Sequence, residues 1–201
     1  MKILTLSQGK QLVKKAREAV NLYLSKSIEA EPLRGELFDK NLGVFVTINS
    51  YPAHDLRGCI GYPLSPPPLG RGVVKAAIAA ATADSRFEPL SLEEIDKIIF
   101  EVSVLSEPRL LEVEPQKREK AIKIPGDGLI IQYGWASGLL LPQVAVEYRF
   151  SPKDFLRAVC QKAGLPPDMY LSNSAKIYTF SAQIFSEESP NGEISEKKLI
   201  L

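Results

Sequence analysis

Apolar residues recur at helical spacing near the start of the chain. Leu12, Val13, Ala16, Ala19, Val20, Tyr23 and Leu24 keep a period of 3.6, which predicts an amphipathic helix running to about Lys26 with Ser7 as its N-cap. After a loop with Pro32 and Gly35, Gly43–Asn49 and Leu56–Tyr62 read as strands of β-branched and aromatic residues, the second ended by Pro63. Consecutive prolines make Pro63–Leu69 stiff and extended. Leu69–Ala83 is rich in alanine and predicts a helix that approaches a sheet closely. Ser91 and Glu94 match a capping box opening a short helix, and Ile98–Leu105 is a strand of strong β formers. Glu112–Lys120 is charged and reads as a turn or short helix. Gly128–Tyr133 and Leu139–Tyr148 read as two strands around a five-residue loop, Gly134–Gly138. Ser151-Pro152, with Asp154 in the first turn, opens a helix that stops at Gly164. Tyr178–Phe185 is the last predicted strand, and Ser186–Lys198 reads as polar and mobile.

Helices and strands are interspersed, yet several strands come as hairpins. The pattern predicts an α+β fold with a mixed or mostly antiparallel sheet packed with helices. It also predicts one domain over residues 1–187, able to hold two subdomains, followed by a polar tail at 188–201.

Composition narrows the function. The 201 residues carry 25 Lys+Arg against 24 Asp+Glu, a net +1, so no global field draws nucleic acid or anionic membrane. The basic stretches that would carry a nucleic-acid role, Lys14-Lys-Ala-Arg17 and Lys117-Arg-Glu-Lys120, sit in a balanced surface. Two cysteines and one histidine cannot complete a four-ligand Cys/His zinc site or a disulfide framework, and no metal site is expected. No apolar run reaches the roughly 20 residues of a membrane span, and no signal-peptide core is visible, so the expected place is the cytoplasm with reduced thiols. Five Asn, seven Gln and 15 Pro hint at a thermophile-like composition. No phosphate loop, dinucleotide fingerprint or nucleophile elbow occurs, and no cofactor is indicated.

The most informative stretch is Asp55-Leu-Arg-Gly-Cys-Ile-Gly-Tyr62. On a strand, period two puts Leu56, Ile60 and Tyr62 on one face and Arg57, Cys59 and Gly61 on the other. An arginine two residues from a cysteine favours thiolate and lowers the thiol pKa, and glycines in a strand mark a close approach of ligand or backbone. Cys59 is then a candidate nucleophile or redox thiol, or else a small core residue. Cys160 lies on the apolar face of its helix and reads as core. His54 precedes Cys59 by five residues, which on a continuous strand sets them on opposite faces. Asp84 and Arg86 read either as a helix terminus or as the rim of a site. Pro142-Gln143 interrupts an apolar run, and a buried Gln143 needs partners for its amide.

Leu56-Arg-Gly-Cys-Ile-Gly61, Asp84-x-Arg-Phe87, Gly138-Leu-Leu-Leu-Pro-Gln-Val-Ala145 and Phe155-Leu-x-x-x-Cys-x-x-Ala-Gly-Leu165 together resemble the AMMECR domain family over roughly residues 7–187. The resemblance implies a larger and a smaller subdomain with the LRGCIG signature lining a cleft between them. It implies no settled reaction. Suggested roles lie in transcription, replication, repair or translation, and prokaryotic relatives accompany a dioxygenase-like protein and a radical S-adenosylmethionine protein, pointing to a modification pathway. Asp127 stands where family members carry a histidine before Gly128-Leu129.

Two functional expectations follow. In the first, Cys59, Arg57 and Gly61 floor a site for a small molecule or peptide, Gly58 gives room, Arg57 holds an anion, and Asp84, Arg86 and Gln143 orient the ligand. In the second, the chain is a non-catalytic binding module for a protein or nucleic-acid partner, and the signature serves packing, with Gly58 and Gly61 admitting the Ala-rich helix.

Overall fold

The computed structural model describes residues 4–64 and 66–200; Ser65 of the proline-rich loop and residues 1–3 and 201 lie outside that description. In chain order the elements are α1 (Leu6–Lys26), β1 (Val44–Ser50), β2 (Leu56–Tyr62), α2 (Leu69–Thr82), β3 (Ile98–Leu105), β4 (Arg109–Leu110), α3 (Arg118–Ala121), β5 (Gly128–Tyr133), β6 (Ala136–Leu140), α4 (Pro142–Glu147), α5 (Pro152–Lys162), β7 (Lys176–Phe180), β8 (Ala182–Glu187) and β9 (Ile194–Lys197). The fold is α+β. Its strands form two sheets in two compact units, one reaching as far as Leu105 and completed by Gln183–Lys197, the other taking in Ser106–Ala182.

The first unit holds a five-stranded sheet in the order β2-β1-β3-β8-β9, so β2 and β9 are its edges. β1 pairs antiparallel with both β2 and β3, and β8 with β9. Strand parity puts Val44, Val46, Ile48, Ile60, Phe100, Val102 and Phe185 into one core with Leu12, Val13 and Ala16 of α1 and Val73, Ala76 and Ala77 of α2. The alanines of α2 let it lie almost on the sheet: a Cβ at Gly58 would stand 2.1 Å from the Ala80 carbonyl oxygen. The N-cap of α1 lies two residues before the expected Ser7, because Thr5 and Gln8 cap each other's main-chain N–H groups. Under α1, Arg17 lies buried against Glu187, with Nε and Nη2 each 2.6 Å from a carboxylate oxygen. Its remaining donors reach the carbonyls of Ile95 and Ile98.

The second unit has a four-stranded sheet, β4-β7-β5-β6, packed by α5. Cys160 is fully buried there among Phe155, Leu156, Val159 and Ile177, as its helical position predicts. Gly138 admits α5, since a Cβ at that position would lie 2.8 Å from the Val159 carbonyl oxygen.

Four local expectations are corrected. Leu139–Tyr148 is not one strand: β6 stops at Leu140 and Pro142 opens α4, since the first helical position needs no N–H and suits proline. The hairpin between β5 and β6 turns on two residues, not five, because Gly134 adopts φ 56° and Tyr133 pairs directly with Ala136. Tyr178–Phe185 is split at Ser181, where the chain leaves the four-stranded sheet and joins the five-stranded one. Beyond it, part of the expected mobile segment is ordered as β9, paired to β8.

Candidate functional site

Cys59 lies near the middle of the edge strand β2, directly across from Thr47 of β1. Its main-chain groups point off the edge of the sheet. The N–H donates to Asp84 Oδ2 at 2.8 Å, and the carbonyl accepts from Arg86 Nη2 at 3.2 Å. Arg86 is bound to the same carboxylate through Nε at 2.9 Å and Nη2 at 2.6 Å. Asp84 and Arg86 therefore supply the acceptor and the donor that a neighbouring strand would otherwise provide. The Arg86 guanidinium holds the Asp84 carboxyl well below the usual carboxylate range, and the Cys59 N–H acts in the same direction. Asp84 is only 7 % exposed, while the Arg86 side chain is 54 % exposed and its Nη1 takes no part in these bonds.

The sulfur is treated differently. Cys59 is half-buried, and its Sγ accepts a hydrogen bond from Thr47 Oγ1 at 3.3 Å. Burial pushes the thiol above its ordinary pKa; Thr47 and Arg86 oppose that rise, and Glu101 and Asp84 add to it. This corrects the expectation of a thiol lowered by Arg57. That guanidinium is committed elsewhere, with Nε 2.9 Å from Glu94 Oε1 and Nη1 2.6 Å from the Glu88 carbonyl. Glu94 is also the capping-box residue that accepts the Ser91 N–H at 2.9 Å, so one carboxylate both starts a helical turn and ties down Arg57. Burial works against the charge of Glu94, but Ser91 and Arg57 together hold its carboxyl below the ordinary range.

The two signature glycines face opposite ways. Gly58 admits α2, whereas Gly61 lies beneath the Phe45 ring, 2.4 Å from where a Cβ would stand. Cys59 and Gly61 share the face away from the helices, as strand parity predicts. Arg57, Gly58, Cys59, Gly61, Asp84 and Arg86 thus belong to one unit, and Gln143, the second residue of α4, belongs to the other. His54 is exposed in the β1–β2 turn at φ 61°, edge-on to Tyr51. Asp127 closes a turn by accepting the Lys123 N–H at 2.8 Å.

The basic stretches do not form continuous patches. Arg17 is buried against Glu187, Lys15 pairs with Glu18 at 2.8 Å, and Arg118 is buried, donating to the carbonyls of Ser172 and Ala175. Among the described residues no group of three or more His, Cys, Asp or Glu could hold a metal ion, and no helix is long and apolar enough to cross a membrane.

With the signature strand, its Asp84–Arg86 partner and the α5 block in place, comparison with known proteins decides the family. The AMMECR1 family model matches residues 13–185. The chain belongs to the AMMECR1 family. Protein MJ0810 of Methanocaldococcus jannaschii is 48 % identical over the full length of both chains. Protein PF1979 of Pyrococcus furiosus is 49 % identical, covering 96 % of this chain and 94 % of its own. The crystal structure of uncharacterized protein PH0010 from Pyrococcus horikoshii superposes with a TM-score of 0.94 at 45 % identity, covering 98 % of this chain and all of that one.

In this AMMECR1 chain, strand pairing adds three residues that sequence reasoning did not single out. Thr47 pairs with Cys59 and with Glu101 of β3, and Lys197 of β9 reaches Glu101 at 3.1 Å. Glu101 is the one charged residue in the apolar run Ile98–Leu105, which marks it as unusual. Its neighbour across the sheet could not be read without the register.

Proposed function

We propose that this AMMECR1-family chain binds a small molecule or peptide at Cys59, with the thiol as the contacting and reacting group. The observation that carries this reading is a contrast within one residue. The Cys59 main chain is held on both sides by Asp84 and Arg86, and packing accounts for Gly58 and Gly61. The half-buried side chain accepts, among the described residues, one hydrogen bond at its sulfur, from the Thr47 hydroxyl. Arg86, half-exposed and with Nη1 outside its bonds to Asp84 and Cys59, is better placed than Arg57 to meet an anionic ligand group. Cys59 rests as a neutral thiol and acts as a nucleophile only when its proton is taken, since the thiolate is the attacking form. A place in the radical S-adenosylmethionine modification pathway is supported by the family resemblance alone.

The test is the rate of iodoacetamide alkylation of each thiol against pH in the native chain. Cys59 is expected to react with a midpoint above that of free cysteine, about 8.5, while Cys160 reacts only after unfolding. A Cys59 that stays inert at every pH overturns the proposal.

A second reading is favoured by a specific observation: Gly58 is required by the contact between α2 and β2. In that reading the chain is a non-catalytic binding module and the signature is a packing device. Cys59→Ser separates the two. The thiol reading expects an unchanged melting temperature and loss of the alkylation, whereas the packing reading expects destabilisation with partner binding retained.

A further inference from the structure

The sheet register sets three side chains in one line, and an ion pair joins a fourth to it. Cys59 of β2 is opposite Thr47 of β1, and Thr47 is opposite Glu101 of β3, all on the face away from α1 and α2. Opposed residues on one face of adjacent strands have Cβ atoms about 4.5–5.5 Å apart. Lys197 then extends from β9 across β8 to place its ammonium 3.1 Å from Glu101 Oε2. The Glu101 side chain is only 13 % exposed, so its charge is weakly screened by solvent.

We propose that Glu101 is a positioning residue that adds to burial in disfavouring the Cys59 thiolate, and that Lys197 sets how strongly it acts. The proposal rests on the reading above that the thiol is the working group. Each charged group facing Cys59 has a defined sign. Asp84, from the segment after α2, opposes the thiolate, but Arg86 lies 2.6 Å from it and favours the thiolate. Thr47 favours the thiolate by donating to sulfur. Arg57, on β2 itself, is paired with Glu94. Glu101 differs because its counter-charge comes from the strand edge farthest from the thiol, so repulsion between Glu101 and a thiolate is left partly uncompensated. Removing Lys197 strengthens that repulsion, and removing the Glu101 charge abolishes it.

The experiment follows the titration of Cys59 by its 13Cβ chemical shift in the full chain, for the wild type, Glu101→Gln, Lys197→Met and the double variant. Glutamine is nearly isosteric with glutamate and Lys197 is half-exposed, so both single variants are expected to fold, which thermal unfolding checks. Glu101→Gln is expected to move the midpoint down by about half a pH unit, roughly a threefold gain in thiolate below it. Lys197→Met is expected to move it up, and to do nothing once Gln stands at 101. An unmoved midpoint in Glu101→Gln, or an equal effect of Lys197→Met with and without Glu101, overturns the proposal. The chemical shift reports protonation whether or not the thiol reacts, so an inert Cys59 sinks the reading of function and leaves this test readable.

Discussion

The Asp84 carboxylate accepts the main-chain N–H of Cys59 at 2.8 Å, while Arg86, ion-paired to Asp84, donates to the carbonyl of that same residue at 3.2 Å. Two side chains, 25 and 27 positions further along the chain, thereby do for β2 what a sixth strand would do, at a single residue. An edge strand closed in this way has fewer free groups with which to pair to another chain. The signature and the Asp-x-Arg motif are two halves of one mechanical contact, whatever the thiol does.

Asp84→Asn is expected to destabilise the chain by about 2–3 kcal/mol at neutral pH, because the buried carboxylate that holds both the Cys59 N–H and the half-exposed Arg86 is lost, a cost moderated by Arg86's access to water. The pH dependence has a definite sign. The Asp84 carboxyl titrates well below its unfolded value near 4, so its contribution is complete above about pH 4 and is lost as the pH falls towards the folded-state value. Urea unfolding from pH 7 to pH 2 should show the gap between wild type and variant narrowing below pH 4. A gap constant with pH would refute the assignment.

Gly58→Ala is expected to lower stability by about 2–3 kcal/mol, because the new Cβ would stand 2.1 Å from a helix carbonyl and β2 or α2 must shift. Gly61→Ala meets the Phe45 ring at 2.4 Å and the Val44 carbonyl oxygen at 2.5 Å; its backbone clash is less deep than that at Gly58, and a smaller loss is expected. Thermal unfolding of the two variants side by side checks the order.

The Arg17–Glu187 pair predicts a non-additive result. Arg17→Met leaves Glu187 buried without its counter-ion and is expected to destabilise by about 3–5 kcal/mol. Adding Glu187→Leu should recover much of that loss, although the Phe100 N–H, which donates to Glu187 at 2.9 Å, then loses its acceptor. A double-mutant cycle by denaturant unfolding measures the coupling, and simple additivity would show that the pair does not act as one.

What was legible in the sequence was mostly local. The Thr5–Gln8 cap aside, capping boxes, helix periods and strand parity placed α1, α2, β2, β3 and α5 within a residue or two, because each depends on neighbours along the chain. Parity alone put Cys59 and Gly61 on the face opposite Ile60. The misses arose where a distant partner decides the outcome. Arg57 looked like a neighbour for the thiol because spacing along a strand is readable, whereas Glu94, which claims its guanidinium, is 37 residues away. Thr47 and Glu101 were invisible as neighbours of Cys59, since register is set by how strands meet. Ser181 carries no breaker chemistry, so nothing local announced that the chain changes sheets there.

That change of sheets has a consequence for how the protein is made. Arg17 emerges from the ribosome early, and the carboxylate that neutralises it follows 170 residues later, in β8. The central strands of the first unit therefore wait, with an unmatched cation under α1, until the whole of Ser106–Ala182 has been synthesised. A fragment ending at Leu105 should stay largely unfolded by circular dichroism, and adding a separate peptide of residues 183–197 should restore helix and sheet. A fragment that folds cooperatively by itself would show that the late strands are dispensable. Translation, in this chain, delivers the keystone last.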